Sequence, residues 1–411
     1  MDDLKVEEVA INLKLWMLCR FYDMLKTNNY TKIFNCNVYC LILFIYGAIV
    51  NCMVVYSSIG FFVEMDDIIS DVDVFLVLFV MINFFFCSWR ICIILSKSNT
   101  ICEALNVAQF NFLTSKRCFK HLNVLYNDRD RTIKITNYFF VFTVIVLIQW
   151  ILFPFMVITL TESDVENSRS PNIMNLRFPV STQTYNQYYF IFYLMEVAIA
   201  AFPIYVIIVT DTLILSFSLV IISQQEVINR AFKSIGYEEN SQSKYYEDFK
   251  SILGDQIQLC LKIKSYYSIV IPVILANVAM SSTCFIIVTY VLIVVCFSKE
   301  PNQFLNIIKL GSSAIFICGQ FFLYCYLLDS MNLKRESVNF ALYSCDWTKM
   351  DIKFKKLLLL TMRMNDANNF VIRATPRKVV NLQMFANVMS MSYNIISVML
   401  KSMDSNNQST E

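Results

Sequence analysis

VVNLQMFANVMSMSYNIISVML, residues 379–400, is the last of seven apolar stretches in this 411-residue chain, and reading it as a membrane crossing decides the fold. The others run over 38–60, 72–95, 135–160, 187–215, 267–297 and 304–330. Each is long enough for a hydrocarbon core, which takes about 20 residues of apolar helix. An odd number of crossings puts the two termini on opposite sides, and basic residues choose which side is which. Of 34 Lys and Arg, 28 fall in the N-terminal arm and in segments 96–134, 216–266 and 331–378. The alternate segments carry only Arg169, Arg177, Lys299 and Lys401, while Arg90 and Lys309 lie within crossings. Positive residues stay cytoplasmic. The expected fold class is therefore an all-α membrane protein of seven transmembrane helices, N-terminus cytoplasmic and C-terminus extracellular.

Composition agrees. The chain is 57% hydrophobic and 16% charged, where a soluble domain carries about 25% charged residues. Its net charge of +2 hides the asymmetry between the two sides. The opening MDDLKVEE has no apolar core behind a basic flank, so no cleavable signal peptide is expected. None of the 14 cysteines falls in the outward segments 61–71, 161–186 or 298–303, which leaves no outward disulfide framework. There is one histidine, His121, and no CxxC pair. A zinc site and an enzyme are not expected on that basis, nor is a cofactor or a nucleic-acid partner.

Beyond the crossings, the chain keeps helical periodicity on the cytoplasmic side. Phe217, Val220, Ile221, Val227 and Ile228 continue the fourth crossing as a helix leaving the membrane without stopping. Phe249, Ile252, Leu253, Ile257, Leu261 and Ile263 lead into the fifth, and Val338, Ala341, Leu342, Phe354 and Leu357 to Leu360 follow the sixth. Three such amphipathic stretches are expected to bury one another in a compact cytoplasmic domain; lipid-surface helices are the alternative. The division expected is an N-terminal arm (1–37), six crossings with a ligand pocket (38–330), a cytoplasmic segment (331–378), for which the resemblance described below implies an anchor role, and a seventh helix with its outer tail (379–411).

The final helix carries Gln383, Asn387, Ser390, Asn394 and Ser397 at steps of four and three, which is one helix face. Amides in lipid must be satisfied, so this stripe faces either a water-filled pore or the interior of its own bundle. Met391, Val398 and Lys401 border its outer end, where an apolar ring would gate by dewetting and Lys401 would repel cations. In the outer halves of the other crossings, Phe75, Phe79, Phe84, Phe153, Phe155, Tyr189, Phe192 and Tyr193 cluster with Asn83 and Gln149 as scarce polar partners. That composition suits a small apolar ligand, and lipid contact is the bland alternative. Arg90 and Asp211 are read as snorkelling or as a mutual ion pair. Glu196, midway through the outer half of its helix, is read as facing a cavity.

From the sixth crossing onward the chain resembles an insect odorant receptor of the odorant-specific kind. Tyr324, Cys325 and Tyr326 close the sixth crossing, Ser337, Tyr343 and Trp347 follow within SVNFALYSCDW, KFKKLLLLTMRM comes next, and the last helix carries Ser392 and Tyr393. RFPV at 177–180 is similar to the family's proline-bearing outer loop. Leu328-Asp329 departs from the family's Gly-Asn, and Asp255 stands where a histidine often precedes Gln256. The long insertion of the shared co-receptor is missing.

This resemblance implies a ligand-gated non-selective cation channel, a heterotetramer with a co-receptor subunit, in the plasma membrane of olfactory sensory neuron dendrites. It implies a volatile odorant bound in the outer half among crossings two, three, four and six, for which Phe79, Asn83, Gln149, Phe153, Phe192, Tyr193 and Glu196 are the candidates. It also implies a pore wall on the seventh helix (Met391, Asn394, Ser397, Val398, Lys401) and a subunit anchor at cytoplasmic helix ends (Ser337, Tyr343, Trp347, Gln383, Asn387). A gustatory receptor channel of the same superfamily would share fold and gating. A G-protein-coupled receptor would need the opposite orientation, and a transporter would show solute flux without channel-sized currents.

Overall fold

The computed structural model describes residues 5–25, 32–33, 36–63, 71–160, 169–174, 176–237, 242–297, 303–367, 373–375 and 378–408. Seven long helices among the described residues carry the chain: Val38–Val63, Asp71–Ser96, Leu122–Leu160, Tyr189–Lys233, Gln242–Phe297, Gln303–Tyr343 and Leu382–Gln408. The first six are long and apolar enough to cross a membrane, so the protein is a multi-pass membrane protein. The seventh is more polar because of its amides and is not among those six. Its Phe385, Val388 and Met389 pack onto the core, and Ile396 is buried.

Several helices are far longer than a bilayer crossing needs. The fifth has 56 residues, about 84 Å at 1.5 Å per residue, against a hydrocarbon core of about 30 Å. The fourth is the hub. Every residue from Thr210 to Ser218 is buried, and a helix apolar or satisfied all round sits inside other helices. It continues to Lys233, and the chain then turns through Gly236 at φ 93°, a left-handed conformation that glycine adopts without steric cost.

The extensions of the fourth, fifth and sixth helices do bury one another. Phe249 lies between Phe232 and Phe354, with ring centroids 5.5 and 4.9 Å away. Val338, Ala341, Leu342 and Leu358 are buried in the same core. Polar pairs knit the helices laterally: Gln225 Nε2 donates to Gln256 Oε1 at 2.9 Å, and Asn229 Nδ2 to Ser337 Oγ at 2.8 Å. Asp255 accepts from the Thr114 and Ser115 backbone amides at 3.0 and 2.9 Å and from the Thr114 hydroxyl at 2.8 Å. A carboxylate at that position organises the 114–115 turn. The exceptions to the expected burial are Ile257, Leu261, Leu359 and Leu360, which stay on the surface of the chain.

The N-terminal arm is part of this packing. Trp16, fully buried, stacks on Phe217 at 6.2 Å. Asn12 caps the helix Leu13–Leu18 by accepting from Leu15 N, and its amide donates to Thr136 Oγ1 at 2.9 Å. Two small antiparallel ladders, Lys32–Ile33 with Cys36–Asn37 and Arg373–Thr375 with Lys378–Val379, precede the first and seventh long helices. Hydropathy gave no sign of either.

Candidate functional site

A cavity of about 130 Å³ lies between the second, third, fourth and sixth long helices. Each helix gives it one face, as side-chain periodicity requires. The fourth contributes Ala200, Pro203, Ile204 and Ile207, and the sixth Ser313, Phe316, Ile317 and Gln320, both at i, i+3, i+4, i+7. The second contributes Phe79, Val80, Asn83 and Phe84; the third, Val146, Leu147 and Trp150. Met174, from the segment before the fourth helix, completes the wall. Hydrocarbon and aromatic surface dominates, with few polar groups.

Residues 169–174 and 176–187 pack against this end of the bundle. Arg169 lies over the Tyr185 ring at 4.3 Å and donates to the Phe178 carbonyl at 2.9 Å. The backbone of Arg177 passes so close to Gly60 that a Cβ there would meet its carbonyl oxygen at 2.5 Å. The segment is pinned at Ile173 from both sides: its N–H donates to Glu196 Oε2 at 2.7 Å, and its carbonyl accepts from Lys309 Nζ at 2.8 Å. Lys309 also sits 4.2 Å from the Phe153 ring centroid and 4.8 Å from that of Trp150. A cation over aromatic faces away from water is held by about 2 kcal/mol. Lys309→Met should therefore free the segment, seen as faster hydrogen exchange over 170–176. Unchanged exchange would show that the remaining contacts, Glu196 and Arg169 among them, hold it without Lys309.

At the deeper end of the cavity, Gln320 reaches a buried cluster. Arg90 and Asp211 form an ion pair with both side chains sequestered. Tyr324 donates to Asp211 Oδ1 at 2.5 Å and accepts from Arg90 at 3.0 Å, and Gln320 Nε2 donates to Asp211 Oδ2. The pair is mutual, as one of the two sequence expectations had it, and neither side chain snorkels to solvent. It ties together the second, fourth and sixth helices.

Of the seven candidate ligand residues, Phe79 and Asn83 line the cavity. The other five are not among its lining residues. Gln149 donates to the Ile308 carbonyl at 3.0 Å, and Phe153 lies under Lys309. Phe192 packs on Phe178 and Tyr185. Tyr193 donates to the Ile151 carbonyl at 2.9 Å, and Glu196 is fully enclosed at Ile173. Among the lining residues that the sequence did not single out are Ser313, Phe316 and Gln320; their shared helix face in the sixth crossing was the available signal.

On the seventh helix, Gln383, Asn387, Ser390 and Asn394 are exposed on the surface of the chain, as are Met391, Val398 and Lys401, with Ser397 half-buried. Ser392 and Ile396 face inward. The amide stripe thus does not pack inside its own bundle. Among the anchor candidates, Ser337 is tied to Asn229. Tyr343 is exposed, with its ring 5.9 Å from that of Trp347, and Gln383 donates to Asn387 at 3.1 Å.

A family model described as 7tm odorant receptor matches residues 71–393, well beyond the part from the sixth crossing onward that carried the resemblance. The fold is similar to that of the insect olfactory receptor OR5 from Machilis hrabei, with a TM-score of 0.77 at 13% identity over 95% of this chain and 97% of that one. It is likewise similar to that receptor in complex with eugenol, with a TM-score of 0.74 at 12% identity over the same shares. None of the curated proteins compared with the chain matches it.

Proposed function

Because the chain belongs to the 7tm odorant receptor family, we propose that it is the odorant-specific subunit of a heteromeric, ligand-gated, non-selective cation channel. A volatile small molecule binds in the cavity between the second, third, fourth and sixth helices. A co-receptor subunit completes the tetramer, and the complex sits in the plasma membrane of olfactory sensory neuron dendrites, surrounded by lipid. The observation that carries this is one residue in two places: Gln320 lines the cavity and also holds Asp211, the junction of three helices. The solved complex of OR5 with eugenol gives a relative of this fold an odorant ligand.

The N-terminus is cytoplasmic and the C-terminus extracellular, with the division into arm, crossings, anchor and final helix at 1–37, 38–330, 331–378 and 379–411. The seventh helix lines a pore shared with neighbouring subunits through Asn394, Ser397, Met391, Val398 and Lys401. Ser337, Tyr343, Trp347, Gln383 and Asn387 lie on the anchoring surfaces. An exposed amide stripe supports this, since amides at membrane depth need water or protein against them. Ligand contacts that differ between closed and open packing of the three helices shift the equilibrium; equal contacts shift nothing. Moving the channel from 1:99 to 99:1 takes about 5.5 kcal/mol of differential binding, part of which apolar burial supplies at about 25 cal/mol per Å².

Currents evoked by a panel of volatiles, in cells that also express a co-receptor, test both halves. Ala200→Leu fills the cavity and should raise the half-activating concentration at least about tenfold, roughly the 1.4 kcal/mol of one lost group contact. Asn394→Leu should change conductance or block. An unchanged dose response in the first sinks the cavity, and unchanged permeation in the second sinks the pore wall.

A further inference from the structure

Apart from one enclosed donor, the polar atoms left over in the cavity are acceptors. Asn83 Nδ2 donates to the Phe79 carbonyl at 2.7 Å and to Cys284 Sγ at 3.5 Å. A carbonyl oxygen can only accept, so the amide cannot be flipped, and both its hydrogens are committed. Its Oδ1 receives no donor among the described residues. Gln320, nine-tenths buried, is oriented in the same way: its Nε2 faces the Asp211 carboxylate, which fixes Oε1 as the free end. The Ser313 hydroxyl commits its hydrogen to the Lys309 carbonyl at 3.0 Å and keeps its lone pairs. One orphan donor borders the site, the Trp150 indole N–H, but that nitrogen is itself enclosed.

We propose that the cavity selects compact apolar molecules bearing one uncharged hydrogen-bond donor, an alcohol or a phenol, over the ether, ketone or aldehyde of the same shape. This rests on the cavity being the odorant site. Two cavity-lining amides whose hydrogens are taken and whose oxygens have no donor offer a hydroxyl hydrogen a partner and offer a carbonyl or ether oxygen only another lone pair. A site built to bond a hydroxyl discriminates strongly against the analogue without it, because its buried polar groups are then left unpaired. A protonated amine also donates, but stripping its charge of water in an apolar enclosure disfavours it. The size is set by the void of about 130 Å³; an apolar cavity of about 150 Å³ holds benzene.

Benzyl alcohol and anisole are isomers that differ in the donor, and benzaldehyde has nearly the same outline. Their binding to the purified full-length protein in nanodiscs, by calorimetry, and their currents with a co-receptor, decide the matter. Benzyl alcohol should bind at least about tenfold more tightly than either, about 1.4 kcal/mol. In Asn83→Leu, which leaves the Asp211 cluster intact, the advantage should shrink to within about threefold, a drop of the size of one net hydrogen bond. Equal or tighter binding of anisole or benzaldehyde overturns the proposal, as does the absence of binding by benzyl alcohol. If all three bind alike and Ala200→Leu weakens all three, the donor preference falls while the cavity stands as the site. If Ala200→Leu weakens none, the placement of the site falls, and the donor preference with it.

Discussion

Asp211→Leu should leave little folded receptor. Asp211 is 2% exposed and its partner Arg90 1%, so removing one leaves the other charged, buried and unpaired. Breaking such a pair from one side costs about 3–5 kcal/mol, a large share of a total stability of about 5–15 kcal/mol. Gln320 and Tyr324 lose their common acceptor in the same step. The expected readout is loss of the monodisperse peak in size-exclusion of the detergent-extracted protein. Arg90→Leu combined with Asp211→Leu should restore much of that peak, because two hydrocarbon side chains can replace a buried pair at little cost. A single variant as abundant as the parent would mean that water reaches the cluster, and the coupling through Gln320 would lose its physical basis.

Phe249→Ala is expected to be as damaging at the other end of the molecule. The ring is 0% exposed and joins the extensions of the fourth and fifth helices to the helix Ile352–Ala367 through Phe232 and Phe354. Deleting a buried phenyl costs about 3–5 kcal/mol, from lost transfer energy and the cavity left behind. The thermal midpoint should fall sharply, and hydrogen exchange should rise over 344–367. Phe249→Leu keeps most of the volume and should cost under about 1.5 kcal/mol. Equal effects from the two would show that the aromatic pairing, not the volume, holds the domain.

The helices themselves were legible along the chain. The crossings expected at 38–60 and 72–95 appear as Val38–Val63 and Asp71–Ser96, because hydropathy is a property of consecutive residues and needs no partner. The continuation of the fourth helix to Lys233 was visible in the same way. Periodicity also placed Phe354 and Val338 in a core shared by the helix extensions. It failed for Ile257 and Leu261, since an apolar stripe wider than its neighbours can cover looks the same in sequence as one that is covered.

The cavity proposed for the ligand was only half legible. Phe79 and Phe153 look alike in sequence, both aromatic and both near the outer end of a crossing. One lines the void and the other lies under Lys309. Likewise, nothing local to Gln320 says that its amide hydrogens are taken by Asp211, which lies 109 positions away. What the amino-acid order determined by itself is membership among multi-pass membrane proteins, the helices and the phase of each apolar or amide stripe. What only the tertiary structure decided is the direction those stripes point: the amides of the seventh helix away from their own bundle, the amides of Asn83 and Gln320 with their acceptors free. A helix fixes the angles between its own side chains, but its rotation about its axis is set by the helices packed against it.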